Sequence, residues 1–493
     1  MKRSSGILMP ISSLPSEYGI GSFGRSAYDF IDFLHSSGQS WWQLLPIGTA
    51  GAGNSPYSSF STYAGNPNYI DLDVLVEEGL LNASDLEKTV WGSNLESVDY
   101  ELINSGRPEV LKKAYLTGKE KYASEIESFR SNNSAWLDDY ALYMSAKEYF
   151  GGKAWYDWPD AGLRMGNAEA KRSYSLLLFD SIEFIIFCQY IFFRQWNALR
   201  VYAKEKGIGF IGDIPIYVPL DSADVWSEPH FFCLDDEFKP VSVAGCPPDF
   251  FNDEGQLWGN PLYDWDAMKN DGYGWWIRRI GHASMLYDII RIDHFRGLSS
   301  YWSVPADSEN AINGHWCKGP GMDLVGVLTS WFNDTKFIAE DLGDLTPDVF
   351  ELLKESGLPG MKVLHFAFDP ESDSLYLPHN CGEKSVLYIG THDNNTTLGW
   401  LEDISPEEKE YAADYMRIRE GESWCRALIR TGMSCCSELF IMQMQDILEL
   451  DASARMNTPG IPNGNWRWRM KPGAADEKLA GELYGITKTY RRI

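Results

Sequence analysis

Four carboxylic acids close short apolar runs in this chain: Asp213 in "IGDIP", Asp293 in "IRIDHF", Glu340 in "FIAEDLG" and Asp393 in "IGTHDNN". A single acid after a strand is commonly a helix cap or half of an ion pair. Four drawn to one face repel each other, a cost that argues for a use. Two facing carboxyls suit cleavage of a glycosidic bond, one attacking the anomeric carbon while the other protonates the departing oxygen. In a retaining reaction they stand about 5–5.5 Å apart. The segment "RIDHFRG" (291–297) sets two arginines and a histidine around Asp293, directly after the apolar "LYDII". Unpaired charges there cost several kcal/mol each, so the segment is either a self-satisfied ion cluster or the working end of a strand. Arg291 lies two residues before Asp293 and therefore on the same side of a strand. It is expected to hold that acid ionised.

Further candidates surround these acids. His294 and His392 can donate to substrate hydroxyls, against the common alternative of a satisfied structural histidine. Asp213 can bind hydroxyls or orient Arg291. Tyr57 sits in a Ser/Gly/Asn-rich loop, where its ring offers a flat platform to a sugar or packs the loop. The stretch "PPDFFNDEGQLWGNPLYDWD" (247–266) is aromatic, with Phe250, Phe251 and Trp258 able to cover a bound substrate and exclude water. Ordinary packing of those rings is the competing explanation.

Such acids need a scaffold that brings strand ends together. Eight stretches show an apolar run, a polar or Gly-rich end, then a helical stretch: 6–15, 41–51, 208–218, 288–297, 335–344, 361–368, 385–397 and 438–448. Runs of that length between helices predict parallel strands covered on both sides. Eight of them predict an α/β fold, a closed (β/α)8 TIM barrel with its functional residues at the C-terminal strand ends. Two intervals exceed simple crossovers. Residues from about 70 to 205 read as a mostly helical insertion, and those from about 219 to 280 as an aromatic lid over the site. The whole of 1–493 is then a single catalytic barrel.

Bulk properties narrow the function. The net charge of −27 argues against nucleic acid and anionic membranes as partners, while a neutral substrate is indifferent to it. The 19 Trp and 26 Tyr exceed ordinary use, and aromatic planes suit the C–H faces of sugars as well as cores. Eight cysteines without a CxxC spacing read as reduced thiols, pointing to a cytoplasmic protein. Pro10 and the early serines break any signal-like core at the start. The most apolar stretch, 181–196, carries Glu183, Gln189, Arg194 and Gln195, and reads as a buried helix rather than a membrane span.

"RIDHFRG", "IAEDLG" and "GTHDNNTTLGW" together resemble the 4-α-glucanotransferase (amylomaltase, disproportionating enzyme) family of the α-amylase clan. The resemblance extends to "GNSPYSSFSTYAGNPNYIDL" (53–72), "IGDIPIYVPLDSADVW" (211–226), "PPDFFNDEGQLWGNPLYDW" (247–265) and "NWRWR" (465–469), in order along most of the chain. It implies Asp293 as nucleophile, Glu340 as general acid/base and Asp393 as holder of sugar hydroxyls in the transition state. It implies substrate contacts from Tyr57, Asp213, Asp249, Phe251, Trp258, Arg291, His294, His392 and Asn465. Ile461 stands where the family pattern leads one to expect a small hydroxyl residue, which weakens what is carried over to the 457–466 loop. The implied partners are a malto-oligosaccharide or amylose donor and a glucan or glucose acceptor. No cofactor is implied, because carboxylates alone run the chemistry. Three alternatives remain at this point: an α-glucan hydrolase using the same acids, a non-catalytic carbohydrate-binding protein, and a metal-dependent hydrolase. The last draws on the "DH" and "HD" pairs but lacks an HxH or HExxH spacing.

Overall fold

The computed structural model describes residues 3–248, 253–343, 345–461 and 463–493. Its twelve strands are β1 (Ser4–Leu8), β2 (Trp41–Gln43), β3 (Gly209–Ile214), β4 (Ser242–Cys246), β5 (Gln256–Pro261) and β6 (Ile289–Ile292). They continue as β7 (Ser300–Pro305), β8 (His315–Lys318), β9 (Lys336–Ala339), β10 (Gly360–Val363), β11 (Ser385–Tyr388) and β12 (Leu439–Gln443). Eight of them close a parallel barrel in the order β1-β12-β11-β10-β9-β6-β3-β2. These are the eight apolar runs of the sequence, and the fold is a (β/α)8 barrel. Strands β6, β11 and β12 are buried at every position, as strands sandwiched between a barrel interior and covering helices must be.

Helices Arg25–Ser36, Gly274–Leu286, Met322–Trp331, Pro347–Ser356 and Trp424–Ser434 lie between successive barrel strands. The connection from β10 to β11 departs from the pattern. Among the described residues it contains only the 3-10 turn Leu364–Phe366 and no α-helix. Its sequence, "DPESDSLYLPHNCGE", supplies two prolines and a run of Asp, Ser and Asn, which favour turns over helix. Phe368 still packs against Trp400 and Tyr415, so the segment covers the barrel without a helix.

Between β2 and β3 a set of helices leads into the 27-residue Phe179–Glu205. That helix buries Ile186, Phe187, Ile191, Phe192, Trp196 and Leu199, and Gly207, at a φ of 73°, turns the chain out beyond its end. No single helix among the described residues is long and apolar enough to cross a membrane.

Strands β5, β4, β7 and β8 form a separate four-stranded antiparallel sheet. The 219–280 interval therefore supplies two strands of this sheet, the short helices Ala223–Ser227 and Trp265–Asn270 and the start of the helix Gly274–Leu286, alongside its loops. The other two strands come from 300–318, directly after β6.

Candidate active site

Parallel pairing sets the site. Asp213 on β3 is in register with Arg291 on β6, and Ile292 on β6 with Ala339 on β9. Asp293 and Glu340 are the next position on each of two neighbouring strands. Backbone bonds extend the ladder past the strand ends: Asp293 N–H donates to Ile214 O (3.0 Å), and Glu340 N–H to Ile292 O (3.0 Å). Both acids are thus fixed by backbone before their side chains are considered.

Arg291 ties the group together. Its Nη1 donates to Asp213 Oδ2 at 2.6 Å and Oδ1 at 2.7 Å, and to Asp293 Oδ1 at 2.9 Å. Across the barrel, its Nε meets Met361 Sδ at 3.3 Å. Burial opposes charging of this guanidinium, but Asp213 and Asp293 outweigh it, so it stays a cation. Such a buried ion network is costly to assemble, and breaking it by removing one partner costs about 3–5 kcal/mol.

Both acids are pushed up. For Asp293 the leading cause is burial, opposed by Arg291 and reinforced by the charges of Asp213, Glu340 and Asp393. For Glu340 it is again burial, opposed by Arg291 and by two backbone N–H groups. Those groups are His294 N–H, 2.7 Å from Oε2, and Leu342 N–H, 2.9 Å from Oε1. Arg291 therefore acts on Asp293 in the direction expected of it, towards the ionised form, against burial and the neighbouring acids. The proton belongs to the coupled pair.

Asp393 arrives from the turn after β11. Asn394 Oδ1 accepts from the N–H and the hydroxyl of Thr391, closing that turn. The helix Thr397–Asp403 begins directly beyond it, capped by Thr396 and held by Asp446 Oδ1, which accepts Thr397 N–H at 2.7 Å. His392 is buried, its Nε2 3.3 Å from Asp393 Oδ2 and its Nδ1 3.4 Å from the Tyr57 hydroxyl. Burial keeps that imidazole neutral against the pull of Asp393.

With this geometry in view, a 4-alpha-glucanotransferase family model matches residues 9–475. The chain belongs to the 4-alpha-glucanotransferase family. It is 49% identical over 497 residues to the 4-alpha-glucanotransferase of Streptococcus pneumoniae (strain TIGR4), covering 100% of this chain and 98% of the relative. Identity to the Thermus thermophilus 4-alpha-glucanotransferase is 43% over 504 residues, with both chains covered completely (100% each). The solved amylomaltase from Streptococcus agalactiae in complex with acarbose superposes with a TM-score of 0.97 at 41% identity, covering 100% of each chain.

In this glucanotransferase the remaining expected residues fall into three groups. Tyr57 belongs to the cluster: its hydroxyl donates to Asp213 Oδ2 at 2.7 Å, and its ring stacks on His392 at 5.0 Å. One face of the expected platform is therefore already covered. His294 adopts a left-handed backbone (φ 49°), burial holds its ring neutral, and Trp258 of β5 meets it edge-on at 4.8 Å. Asp249 and Phe251 lie outside the described residues, as does Phe250.

Asn465 braces its own loop. Its Nδ2 donates to Thr458 O (3.3 Å) and Ile461 O (2.8 Å), while its Oδ1 accepts from Thr458 N–H (3.0 Å). Its amide thus joins both ends of the 457–466 loop, with one lone pair of Oδ1 left over. The residue of that loop reaching the acids is Asn457, whose Nδ2 donates to Asp393 Oδ1 at 2.6 Å. Arg455 supports it, donating to Asn457 O (2.7 Å) and Asp393 O (2.8 Å). Trp466 joins the Tyr57 and His392 rings. Arg455 and Asn457, two apart in an extended segment, reach the same side, but Asn465 and Arg467 are spaced alike, so the spacing alone does not single out the first pair.

Proposed function

We propose that this enzyme transfers α-1,4-glucan segments from a malto-oligosaccharide or amylose donor to a glucan or glucose acceptor by a retaining double displacement. Asp293 Oδ attacks the anomeric carbon while Glu340 gives its proton to the departing O4, leaving a glucosyl ester on Asp293. An acceptor hydroxyl then attacks the same carbon, returning its proton to Glu340 and freeing Asp293. The observation that carries this reading is the placement of the two acids at matched positions on adjacent parallel strands. Such strands lie about 4.8 Å apart, close to the separation a retaining pair needs. Arg291 contacts Asp293 and not Glu340, which favours the negative charge on the former and the shared proton on the latter.

Asp393, in contact with His392 and Asn457, serves in this reading to accept from sugar hydroxyls and to stabilise positive charge developing at the ring. Trp258, beside His294, offers an acceptor sugar an aromatic face at the mouth. The S. agalactiae relative is in complex with acarbose, and acarbose is expected to occupy this cleft as well. The eight free cysteines fit a reducing, cytoplasmic setting in which maltodextrins are the available glucans.

Incubation with pure maltotriose tests the reading. Transfer yields shorter and longer oligosaccharides at a constant number of reducing ends, with acarbose suppressing both. Reducing ends rising in step with turnover identify a hydrolase, and activity abolished by exhaustive chelation identifies a metal enzyme.

A further inference from the structure

Three of the eight cysteines gather at the barrel end opposite the acids. Cys381 precedes β11, while Cys435 and Cys436 follow the helix Trp424–Ser434 and precede β12. The two approaches run side by side: Glu438 N–H donates to Glu383 O at 2.8 Å, and the hydroxyls of Ser385 and Ser437 are 2.8 Å apart. Here the Cys381 and Cys435 thiols donate to two consecutive carbonyls, Cys381 Sγ to Leu377 O and Cys435 Sγ to Pro378 O, each at 3.5 Å, which brings the two side chains to one spot. Cys436 is solvent-exposed, and its Sγ–H donates to Cys381 O at 2.8 Å.

The surroundings favour a thiolate. Arg492 and Arg3 both donate to Cys435 O, at 2.8 and 2.6 Å, and Ser437 Oγ lies 3.3 Å from Cys435 Sγ. The Cys381 contact, then Ser437 and the Arg492 charge, hold Cys435 below the ordinary thiol range despite burial. Cys188 and Cys425, by contrast, are buried and their pKa is raised by that burial.

We propose that Cys381 and Cys435 are a modification site, an oxidisable pair that hydrogen peroxide converts to a reversible disulfide joining the loops before β11 and β12. The Cys435 thiolate attacks one peroxide oxygen, the O–O bond breaks, and hydroxide leaves a sulfenic acid on Cys435. Cys381 then attacks that sulfur, losing its proton, and the S–O bond breaks with release of water. Two thiols are oxidised, one peroxide is reduced, and dithiothreitol reverses the crosslink by exchange. The crosslink sits away from the acids, so transfer activity is unchanged while the thermal midpoint rises by about 2–4 °C.

The test treats the full-length enzyme with graded hydrogen peroxide, blocks remaining thiols by alkylation, and maps peptides without reduction. The expected result is a fall in titratable thiols from eight to six, with the first crosslink between Cys381 and Cys435. Cys436→Ser is expected to retain that crosslink, and Cys381→Ser to abolish it with activity intact. A first crosslink through Cys436 or between other cysteines overturns the proposal. So does oxidation of Cys436 to higher acids without a crosslink, or unfolding before any thiol is lost.

Discussion

Arg291 divides one guanidinium between Asp213 and Asp293, so the acid nearest the proposed chemistry receives only part of its charge. Asp293→Asn removes the nucleophile while keeping the volume, and transfer should fall by about 10^4-fold or more with the fold retained. Asp213→Asn acts differently. Asp213 is one of the charges raising Asp293, and it also competes for Arg291. Its neutralisation lowers the Asp293 pKa, so the acid limb of the kcat/KM profile should move to lower pH, and an unmoved limb would remove Asp213 from this role. The acids themselves were legible in the sequence because charged residues at the ends of apolar runs have few packing explanations. Which asparagine of the 457–466 loop meets Asp393 was not, because Asn457 and Asn465 differ in the path of the loop and not in residue type.

At the level of elements, β5 and the segment anchored by Asp446 make separable claims. Trp258 rides on β5 and meets His294 from outside the barrel. Trp258→Ala should weaken acceptor use by about 10-fold, as 1–1.5 kcal/mol of stacking implies, and raise the share of glucose-releasing hydrolysis, read from maltotriose products. Asp446 is fully buried, and burial raises it to about 7, against the hydrogen bonds from Thr397. Because its folded value lies above its unfolded value near 3.9, it favours the fold at low pH, and that contribution is lost as pH rises to about 7. Asp446→Asn should therefore gain on the parent by roughly 2–3 kcal/mol between pH 5 and 8 in urea unfolding, with equal pH slopes refuting the argument. The barrel strands could be read because each is a continuous apolar run. The antiparallel sheet could not, since β4 and β5 are set among Pro, Gly and Asp and the other partner of β4, β7, lies beyond β6 in sequence.

For the whole molecule, a charge of −27 should have little effect on a reaction between neutral sugars. Raising salt from about 10 mM to 0.5 M should leave kcat/KM for maltotriose within about 2-fold, because screening has no long-range attraction to remove. A steep salt dependence would reveal a charged substrate. The closed barrel was visible in outline from the count of eight runs, whereas the departure between β10 and β11 was hidden by the assumption that every run is followed by a helix, although the prolines of 369–383 speak for turns.

Barrel closure joins Ser4–Leu8 to Leu439–Gln443, two strands separated by nearly the entire chain. During synthesis β1 must wait, one edge unsatisfied, until β12 leaves the ribosome. Late pairing of such distant segments is slow and exposes nascent molecules to edge-to-edge association. A ribosome stalled before residue 439 should hold a chain that is protease-sensitive around β1 and recruits chaperones, and release of the final strand should end both.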